Sequence, residues 1–388
     1  MSIELQESPP TDGSGFAVEV NSDRRADIEA KQLRVAALLR ELGRDGLLLL
    51  DPENVAWITS GATMRGHLDP ATHPAVFCTA EGRWLICSNV DSQRMFEEEL
   101  DGLGFQLKEW PWHWGREQYL ADLCSNRRMA CDRPPLVEGD LLHVNARLQQ
   151  MRRTLSPYEQ ACLTALGQLV AHALEAACRT LKPQDTEREV AGQLAHRLLH
   201  RGVMPVHVGV AADGRSRSYR RFSFTATPID QYAVLMVTGR KYGLHATASR
   251  MVAFGEVPAE IREEFNAVVR VSASYLASTW PDAVPREILQ AGRRIYQLSG
   301  HEHEWLLAPQ GFVTGRAAVE INFTPQTVDL THPGWAVTWN ATAGAAVSSD
   351  TYLVTERGPL TVTPAESWPL KRVRIQGAEC IRPDILVR

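Results

Sequence analysis

The sequence predicts a two-domain α+β protein, on the basis of its length and of two different patterns along the chain. At 388 residues the chain is too long for a single ordinary core. Short apolar strands alternate with helices over residues 24–147, which favours a three-layer α/β domain. Beyond residue 151, longer helices and strands form two helix-plus-strand halves around one antiparallel sheet. We therefore expect a mobile tail over residues 1–21, an N-terminal domain over 22–150 and a C-terminal domain over 151–388.

The N-terminal domain begins with a helix and a buried strand. Ser22 is a suitable N-cap, apolar residues follow at helical spacing, and Gly43 is a suitable stop. The run Gly46–Leu50 is entirely apolar, which is typical of a strand buried on both faces. A hairpin with its turn at Glu81-Gly82 is expected next. The remaining elements are helices over 91–100 and 116–123 and an edge strand over 129–134.

The C-terminal domain is expected to begin with two capped helices. Ser156, Pro157 and Glu159 form a capping box with proline at the first helical position. The second helix starts after Asp185 or Thr186. A strand over 232–238 then turns at Gly239 into a second strand that ends at Arg250. Helices over 258–279 and 285–298 and strands near 205–212, 317–323, 335–340 and 346–354 complete the pattern.

Composition excludes several classes of function. A net charge of −5 argues against nucleic acid or an anionic membrane as a partner. The seven scattered cysteines show no metal-binding spacing and are typical of reduced thiols in the cytoplasm. The first residues lack a basic region followed by an apolar run, so we expect no signal peptide. The apolar runs are too short to predict a membrane span.

Five segments carry a resemblance to a known family: Asn54-Val-Ala-Trp-Ile-Thr-Ser-Gly61, QYAVLMVTGRKYGLHATASR, GRAAVEINFTP, WAVTWN and SSDTYLVTERG. Together they resemble the pita-bread family, which includes methionine aminopeptidase, aminopeptidase P, prolidase and the metal-free creatinase. The resemblance implies a C-terminal pita-bread domain preceded by a creatinase-type N-terminal domain. It also implies a homodimer and a small-molecule substrate.

The metal-dependent members of that family hold two ions with two aspartates, one histidine and two glutamates. In this sequence the first aspartate position falls on Val237 or Thr238, and the second falls on Thr247. The remaining positions carry Arg316, Asn340 and Ser349. Neutral side chains and a guanidinium cannot replace carboxylates around hard divalent cations. We therefore expect no metal and no other cofactor.

The metal-free creatinase machinery is also missing. In that enzyme a histidine acts as the general base, and the equivalent position here falls on Arg221. The supporting carboxylate positions fall again on Asn340 and Ser349.

The polar residues that remain define a candidate site. We interpret His245, Glu304 and Asp350 as candidate catalytic residues, although a structural role for His245 is equally compatible with its apolar neighbours. The expected substrate-binding residues are Arg65, Arg221, Trp305, Gln310, Arg316, Glu320, Asn322, Trp339, Asn340 and Ser349. Several inward-facing arginines would favour an anionic ligand, unless an acid such as Asp350 neutralises them.

Two functional hypotheses follow. The first is a metal-independent hydrolase or lyase that acts on a small anionic nitrogen-containing substrate. The alternative is a catalytically inactive pseudopeptidase that binds a peptide, metabolite or protein. The retained two-domain architecture and polar cavity favour the first, and the loss of both known catalytic sets favours the second.

Overall fold

A computed structural model describes residues 22–62, 72–133, 139–375 and 377–388. The predicted N-terminal tail and Arg65 lie outside the described residues. The chain divides into two compact units, one ending at Leu148 and the other comprising Gln149–Arg388. Each unit is described by itself.

The N-terminal unit contains one six-stranded sheet with the strand order β4-β3-β2-β1-β5-β6. Its strands are β1 (Gly46–Leu49), β2 (Ala75–Cys78), β3 (Arg83–Ser88), β4 (Gln106–Trp110), β5 (Arg128–Cys131) and β6 (Asp140–His143). Its helices are α1 (Ser22–Leu42), α2 (Pro52–Ile58), α3 (Ser92–Arg94), which continues as a π-helix over Met95–Leu100, and α4 (Arg116–Cys124). Helix α5 (Asn145–Arg153) spans the division between the units.

Most of the predicted elements of this unit are confirmed. Every residue of β1 is buried, as expected for a strand covered on both faces. Strands β2 and β3 form the predicted antiparallel hairpin. The prediction of an edge strand near residue 129 is wrong, because β5 lies between β1 and β6. The sheet is mixed, since β1 pairs antiparallel with β2 and parallel with β5.

Helices of the C-terminal unit begin where the capping residues predict. Ser156 and Glu159 form both hydrogen bonds of a capping box at the start of α6 (Pro157–Thr180). Thr186, and not Asp185, is the N-cap of α7 (Glu187–Leu199). The other helices are α8 (Arg215–Ser218), α9 (Ala259–Ser278) and α10 (Pro285–Leu298), which is followed by a 3-10 turn over Glu302–Leu306.

Strands of the C-terminal unit form two main sheets, whereas a single sheet was expected. One sheet has the order β17-β9-β8-β7 and the other the order β11-β10-β12-β13-β14. A separate hairpin joins β15 and β16. The bounds are β7 (Met204–Ala212), β8 (Tyr232–Lys241), β9 (Leu244–Ala253), β10 (Gly311–Thr314), β11 (Ile321–Asn322), β12 (Ala336–Ala343), β13 (Ala346–Thr355), β14 (Gly358–Thr361), β15 (Leu370–Ile375), β16 (Ala378–Pro383) and β17 (Leu386–Val387).

The turn between β8 and β9 lies three residues after the predicted position. Gly239 is inside β8, where an added Cβ would come within 2.7 Å of both Val170 and Val203. This glycine therefore permits close packing of the strand and is not a turn residue. The turn is made by Tyr242 and Gly243, whose φ angles are 54° and 67°. Two residues with positive φ are the requirement of a type I′ hairpin.

Side chains join the two sheets where β9 lies beside β13. The Thr351 hydroxyl accepts a hydrogen bond of 2.9 Å from the Thr247 amide and donates one of 3.0 Å to the Thr247 carbonyl oxygen. Two residues along each strand, the Ser249 hydroxyl accepts a hydrogen bond of 2.7 Å from the Ser349 amide. Hydroxyl groups therefore replace a continuous backbone ladder at this junction.

Helix α6 is a core helix of this unit. Its length and hydropathy would suffice for a membrane span, but 56% of its most apolar window is buried. Leu166 and Val170 belong to the same core cluster as Val237 and Ala248 of the β8–β9 hairpin. Its apolar composition is therefore explained by packing against the sheet.

Candidate functional site

Two threonines occupy the positions at which the family resemblance implies aspartates. Thr238 of β8 and Thr247 of β9 are direct register partners, so their side chains point to the same face of the sheet. Their hydroxyl oxygens lie 2.8 Å apart and form a hydrogen bond. Val237, the other possible position, belongs to the apolar cluster on the opposite face. Two hydroxyl groups that satisfy each other thus stand where two carboxylates were implied.

Asn340 and Ser349 occupy the two implied glutamate positions and are also register partners, on β12 and β13. Asn340 Oδ1 and Ser349 Oγ are buried and have no hydrogen-bond partner within the residues that the structure describes. The Ser349 residue is fully buried. A buried polar atom without a partner is costly, and native structures usually satisfy it with water or a ligand. The inclusion of both residues in a binding site stays a prediction.

Ser249 connects these two pairs and was not predicted as a site residue. It lies two residues after Thr247 on the same face of β9, and its hydroxyl accepts the Ser349 amide hydrogen bond. We call Thr238, Thr247, Ser249, Asn340 and Ser349 the neutral cluster. The alternation of apolar and hydroxyl side chains in LHATASR could have identified Ser249 from the sequence.

The neutral cluster does not fit the metal centre that the resemblance implies. Its five side chains supply hydroxyl and amide groups and no carboxylate or imidazole. Over residues 22–62, 72–133, 139–375 and 377–388 there is no group of three or more histidine, cysteine, aspartate or glutamate side chains arranged to hold a metal ion. Hard divalent cations require several anionic oxygens at short range, which this cluster lacks.

His245 is a buried histidine that remains neutral. It is 6% exposed, and its Nδ1 lies 3.0 Å from the Gly315 carbonyl oxygen. In the neutral ring this nitrogen donates to the carbonyl. Burial lowers the pKa of His245 to about 4, outweighing the hydrogen bond to Gly315, which acts in the opposite direction. A general base works best with a pKa near the working pH, so this environment favours a structural role.

Glu304 and Asp350, the two predicted catalytic carboxylates, are both held in ion pairs. Glu304 Oε1 accepts hydrogen bonds of 2.8 Å from Arg220 and from the Gly344 amide at the β12–β13 turn. Asp350 accepts hydrogen bonds from Arg250 at 3.0 Å and from Arg382 at 2.5 Å. These ion pairs fasten structural elements together. Glu304 Oε2 also accepts a hydrogen bond of 3.3 Å from Thr342 Oγ1, two residues after Asn340 on β12, whereas Asp350 points to the face opposite Ser349.

Arg316 and Glu320 are likewise neutralised inside the protein. The Arg316 guanidinium contacts Glu159 Oε1 at 2.6 Å, and the Arg152 guanidinium contacts Glu320 Oε2 at 2.8 Å. All four side chains are almost fully buried. The expectation that Asp350 neutralises Arg316 is wrong, because Glu159 of α6 takes that role.

Arg221 is exposed and therefore does not belong to an inward-facing set of arginines. The preceding residue, Arg220, points inward and binds Glu304. The predicted set of inward-facing, unpaired arginines is therefore wrong for both Arg221 and Arg316.

Three other predicted residues line a separate cleft of about 440 Å³. Trp305, Gln310 and Asn322 meet there with Leu306, Leu307, Phe323 and Pro325. Gln310 Oε1 accepts hydrogen bonds from Tyr275 of α9 and from Tyr296 of α10. This cleft therefore lies on the helix-packed side of the second sheet.

Trp339 was expected to be a wall of the site and is instead a core residue. Its ring stacks on Tyr275 with a centroid distance of 4.6 Å, and its Nε1 donates to Thr279 Oγ1 at 2.8 Å. Successive residues of a strand point to opposite faces of the sheet. Trp339 therefore faces the helices, whereas Asn340, a member of the neutral cluster, points to the opposite face.

Comparison with known proteins places this geometry in a family. A model described as metallopeptidase family M24 matches residues 161–356, slightly more than half of the chain. No curated protein sequence matches the chain.

Solved structures share its architecture. The prolidase of Pyrococcus horikoshii is 15% identical with a TM-score of 0.74, over 87% of this chain and 99% of that one. The Xaa-Pro dipeptidase of Bacillus anthracis is 15% identical with a TM-score of 0.75, over 93% and 100%. The N-terminal domain of the FACT complex subunit SPT16 from chickpea, Cicer arietinum, is 10% identical with a TM-score of 0.64, over 88% and 96%. At these identities the likeness shows the fold, which is the pita-bread fold with its N-terminal domain.

Proposed function

The chain belongs to metallopeptidase family M24, and we propose that it binds a short peptide at the neutral cluster without a metal ion and without hydrolysing it. The function therefore corresponds to the pseudopeptidase hypothesis. The retained scaffold supplies the binding surface, and the substituted residues change its chemistry.

The single observation that carries this proposal is the pair of unsatisfied polar atoms on Asn340 and Ser349. Both atoms are buried on facing strands and lack a hydrogen-bond partner in the described part of the chain. Such groups need a hydrogen-bond partner, and a ligand amide can supply it on binding. A peptide bond carries both a donor and an acceptor and matches an amide oxygen beside a hydroxyl group.

Among the described residues, none of the three predicted catalytic residues is placed to perform the acid–base chemistry that the hydrolase or lyase hypothesis requires. Glu304 and Asp350 are engaged in buried ion pairs. His245 is neutral, since burial lowers its pKa to about 4. Catalysis without a metal would need a general base with a better matched pKa near the reacting group.

The proposed ligand is neutral at the point of contact. Of the arginines that suggested an anionic ligand, two are described: Arg221 is exposed and Arg316 is paired with Glu159. The titles of the structural neighbours name prolidases and Xaa-Pro dipeptidases, and one names a subunit of a larger complex. Xaa-Pro dipeptides are therefore the first ligands to test, and a protein-borne peptide segment is the next.

Two further features belong to this proposal. We expect a homodimer, as the family resemblance implies. We also place the protein in the cytoplasm, which the seven free cysteines support, because oxidised pairs are absent among them.

The test is calorimetric titration of the full-length chain with Ala-Pro and a panel of Xaa-Pro dipeptides and tripeptides in buffer containing EDTA. We expect saturable binding that EDTA does not change and no release of free proline. Asn340→Leu should weaken binding roughly tenfold, because it removes one hydrogen bond to the ligand. Asn322→Leu is the matched control, since it makes the same change in the separate cleft and should leave the affinity unchanged.

Three results would contradict the proposal. One is proline release that depends on Mn²⁺ or Co²⁺. Another is equal peptide affinity for Asn340→Leu and wild type. The third is the absence of binding for every peptide in the panel.

A further inference from the structure

Two histidines lie together on the exposed face of α7, outside the neutral cluster. His196 is in the last turn of the helix, and His200 is its C-cap with helical angles of φ −58° and ψ −25°. Their ring centroids are 6.2 Å apart, and the ring planes differ by 21°. Both side chains are exposed. Residues four apart on a helix project from the same side, so the two imidazoles face the same volume of solvent.

We propose that His196 and His200 form a surface site for a borderline divalent transition-metal ion such as Zn²⁺, Ni²⁺ or Cu²⁺. The two imidazole nitrogens are the protein ligands, and water completes the coordination. Imidazole is a preferred ligand of these ions, whereas Mg²⁺ and Mn²⁺ prefer oxygen. Two histidines on successive turns of one helix can bind the same ion, as in helical zinc motifs. Exposed side chains change rotamer within nanoseconds, so the rings can turn toward the ion.

The surroundings of the pair leave room for an ion. Gly192 lies one turn before His196, and an added Cβ there would meet nothing within 4 Å. Two cations are neighbours in the chain: Arg197 Nη2 donates to Thr180 Oγ1 at 3.0 Å, and Arg201 Nη1 donates to the Arg197 carbonyl oxygen at 3.1 Å. The first hydrogen bond directs the Arg197 guanidinium toward α6, and the second holds the Arg201 guanidinium on the backbone of α7. No ion pair of either histidine occurs within the described ranges of the chain.

A second histidine group is less suited to this role. His301 and His303 are near Glu304, but the Glu304 carboxylate already binds Arg220 and the Gly344 amide. A metal ion there would have to displace a buried ion pair. The α7 pair requires no such rearrangement, and it does not depend on the proposed peptide binding.

The test is calorimetric titration of the full-length chain with Zn²⁺ alone. We expect binding by wild type and a loss of at least about tenfold in affinity for His196→Gln and for His200→Gln, because losing a ligand costs no less than losing an outer-shell partner. His172→Gln is the matched control. It removes another helical histidine that has no histidine one turn away, and it should leave the affinity unchanged. Circular dichroism melting without metal checks that each variant is folded.

The proposal is overturned by any of three results. The first is that wild type does not bind Zn²⁺. The second is that both single variants bind Zn²⁺ with the affinity of wild type. The third is loss of binding in His301→Gln/His303→Gln with both α7 histidines intact, which would assign the ion to that segment.

Discussion

Replacing Ser349 by alanine should stabilise the protein in the absence of ligand. Ser349 is fully buried, and its hydroxyl oxygen has no hydrogen-bond partner among the described residues. An unsatisfied buried polar group costs about 1–3 kcal/mol, and removing it recovers that amount. The void left by the oxygen is smaller than a methyl group and costs less than about 1 kcal/mol. The net expectation is a free energy of unfolding raised by about 1 kcal/mol.

Ser249→Ala is the matched control and should have the opposite effect. The same atom is removed from the neighbouring strand, but the Ser249 hydroxyl accepts the Ser349 amide at 2.7 Å. Its loss leaves a buried amide without a partner, so the free energy of unfolding should fall by about 1–3 kcal/mol. Urea denaturation of both full-length variants, followed by circular dichroism, measures the two changes. A Ser349→Ala variant destabilised as much as Ser249→Ala would refute the reasoning, because the Ser349 hydroxyl would then have a stabilising partner.

Three further predictions concern the buried charges and the assembly. Arg316→Met should lower the free energy of unfolding by about 3–5 kcal/mol, because Glu159 loses its buried partner. Arg221→Met, at an exposed position, should change the free energy of unfolding by less than about 0.5 kcal/mol. Equal effects of the two substitutions in urea denaturation would contradict the ion pair between Arg316 and Glu159. The free energy of unfolding should fall as the pH drops from 6.5 toward 4, by up to about 3 kcal/mol, because the unfolded chain binds the proton that buried His245 refuses. His245→Gln should remove that part of the pH dependence, and an unchanged slope would show that folding does not lower the pKa of His245. Light scattering should give about twice the chain mass of 43.2 kDa, and a clean monomer would remove the implied dimer.

Much of the fold could be predicted from local sequence signals. The capping box at Ser156 and the all-apolar strand at Gly46 depend on neighbouring residues alone, and both are confirmed. Gly239 was misread as a turn because a glycine required by helix packing looks the same in sequence as a glycine required by positive φ. The sequence does not predict the division into two sheets, because strand patterns do not show which strands are neighbours. Between β9 and β13 the Thr351 and Ser249 hydroxyls accept backbone amide hydrogen bonds, in place of a backbone ladder.

The sequence predicts the strand positions of the candidate site residues, but it does not predict which charged side chains form ion pairs. The family motifs that flank Asn340 and Ser349 assign each of them to a strand position, and the structure pairs the two positions in register. Arg316 was expected to meet Asp350 or an anionic ligand, but its partner Glu159 lies 157 residues away in sequence. Local sequence carries no signal for a pair at that separation, since only the folded chain brings the start of α6 beside the segment that follows β10.

Elemental analysis tests most directly whether the neutral cluster binds no metal ion. The protein to use is His196→Gln/His200→Gln, which removes the proposed surface site on α7. After dialysis against Mn²⁺, Co²⁺ or Zn²⁺ and then against metal-free buffer, we predict far less than one ion per chain, because Thr238, Thr247, Asn340 and Ser349 offer no anionic ligand. Stoichiometric metal that is retained by this variant, and that is lost on Asn340→Leu, would contradict the account.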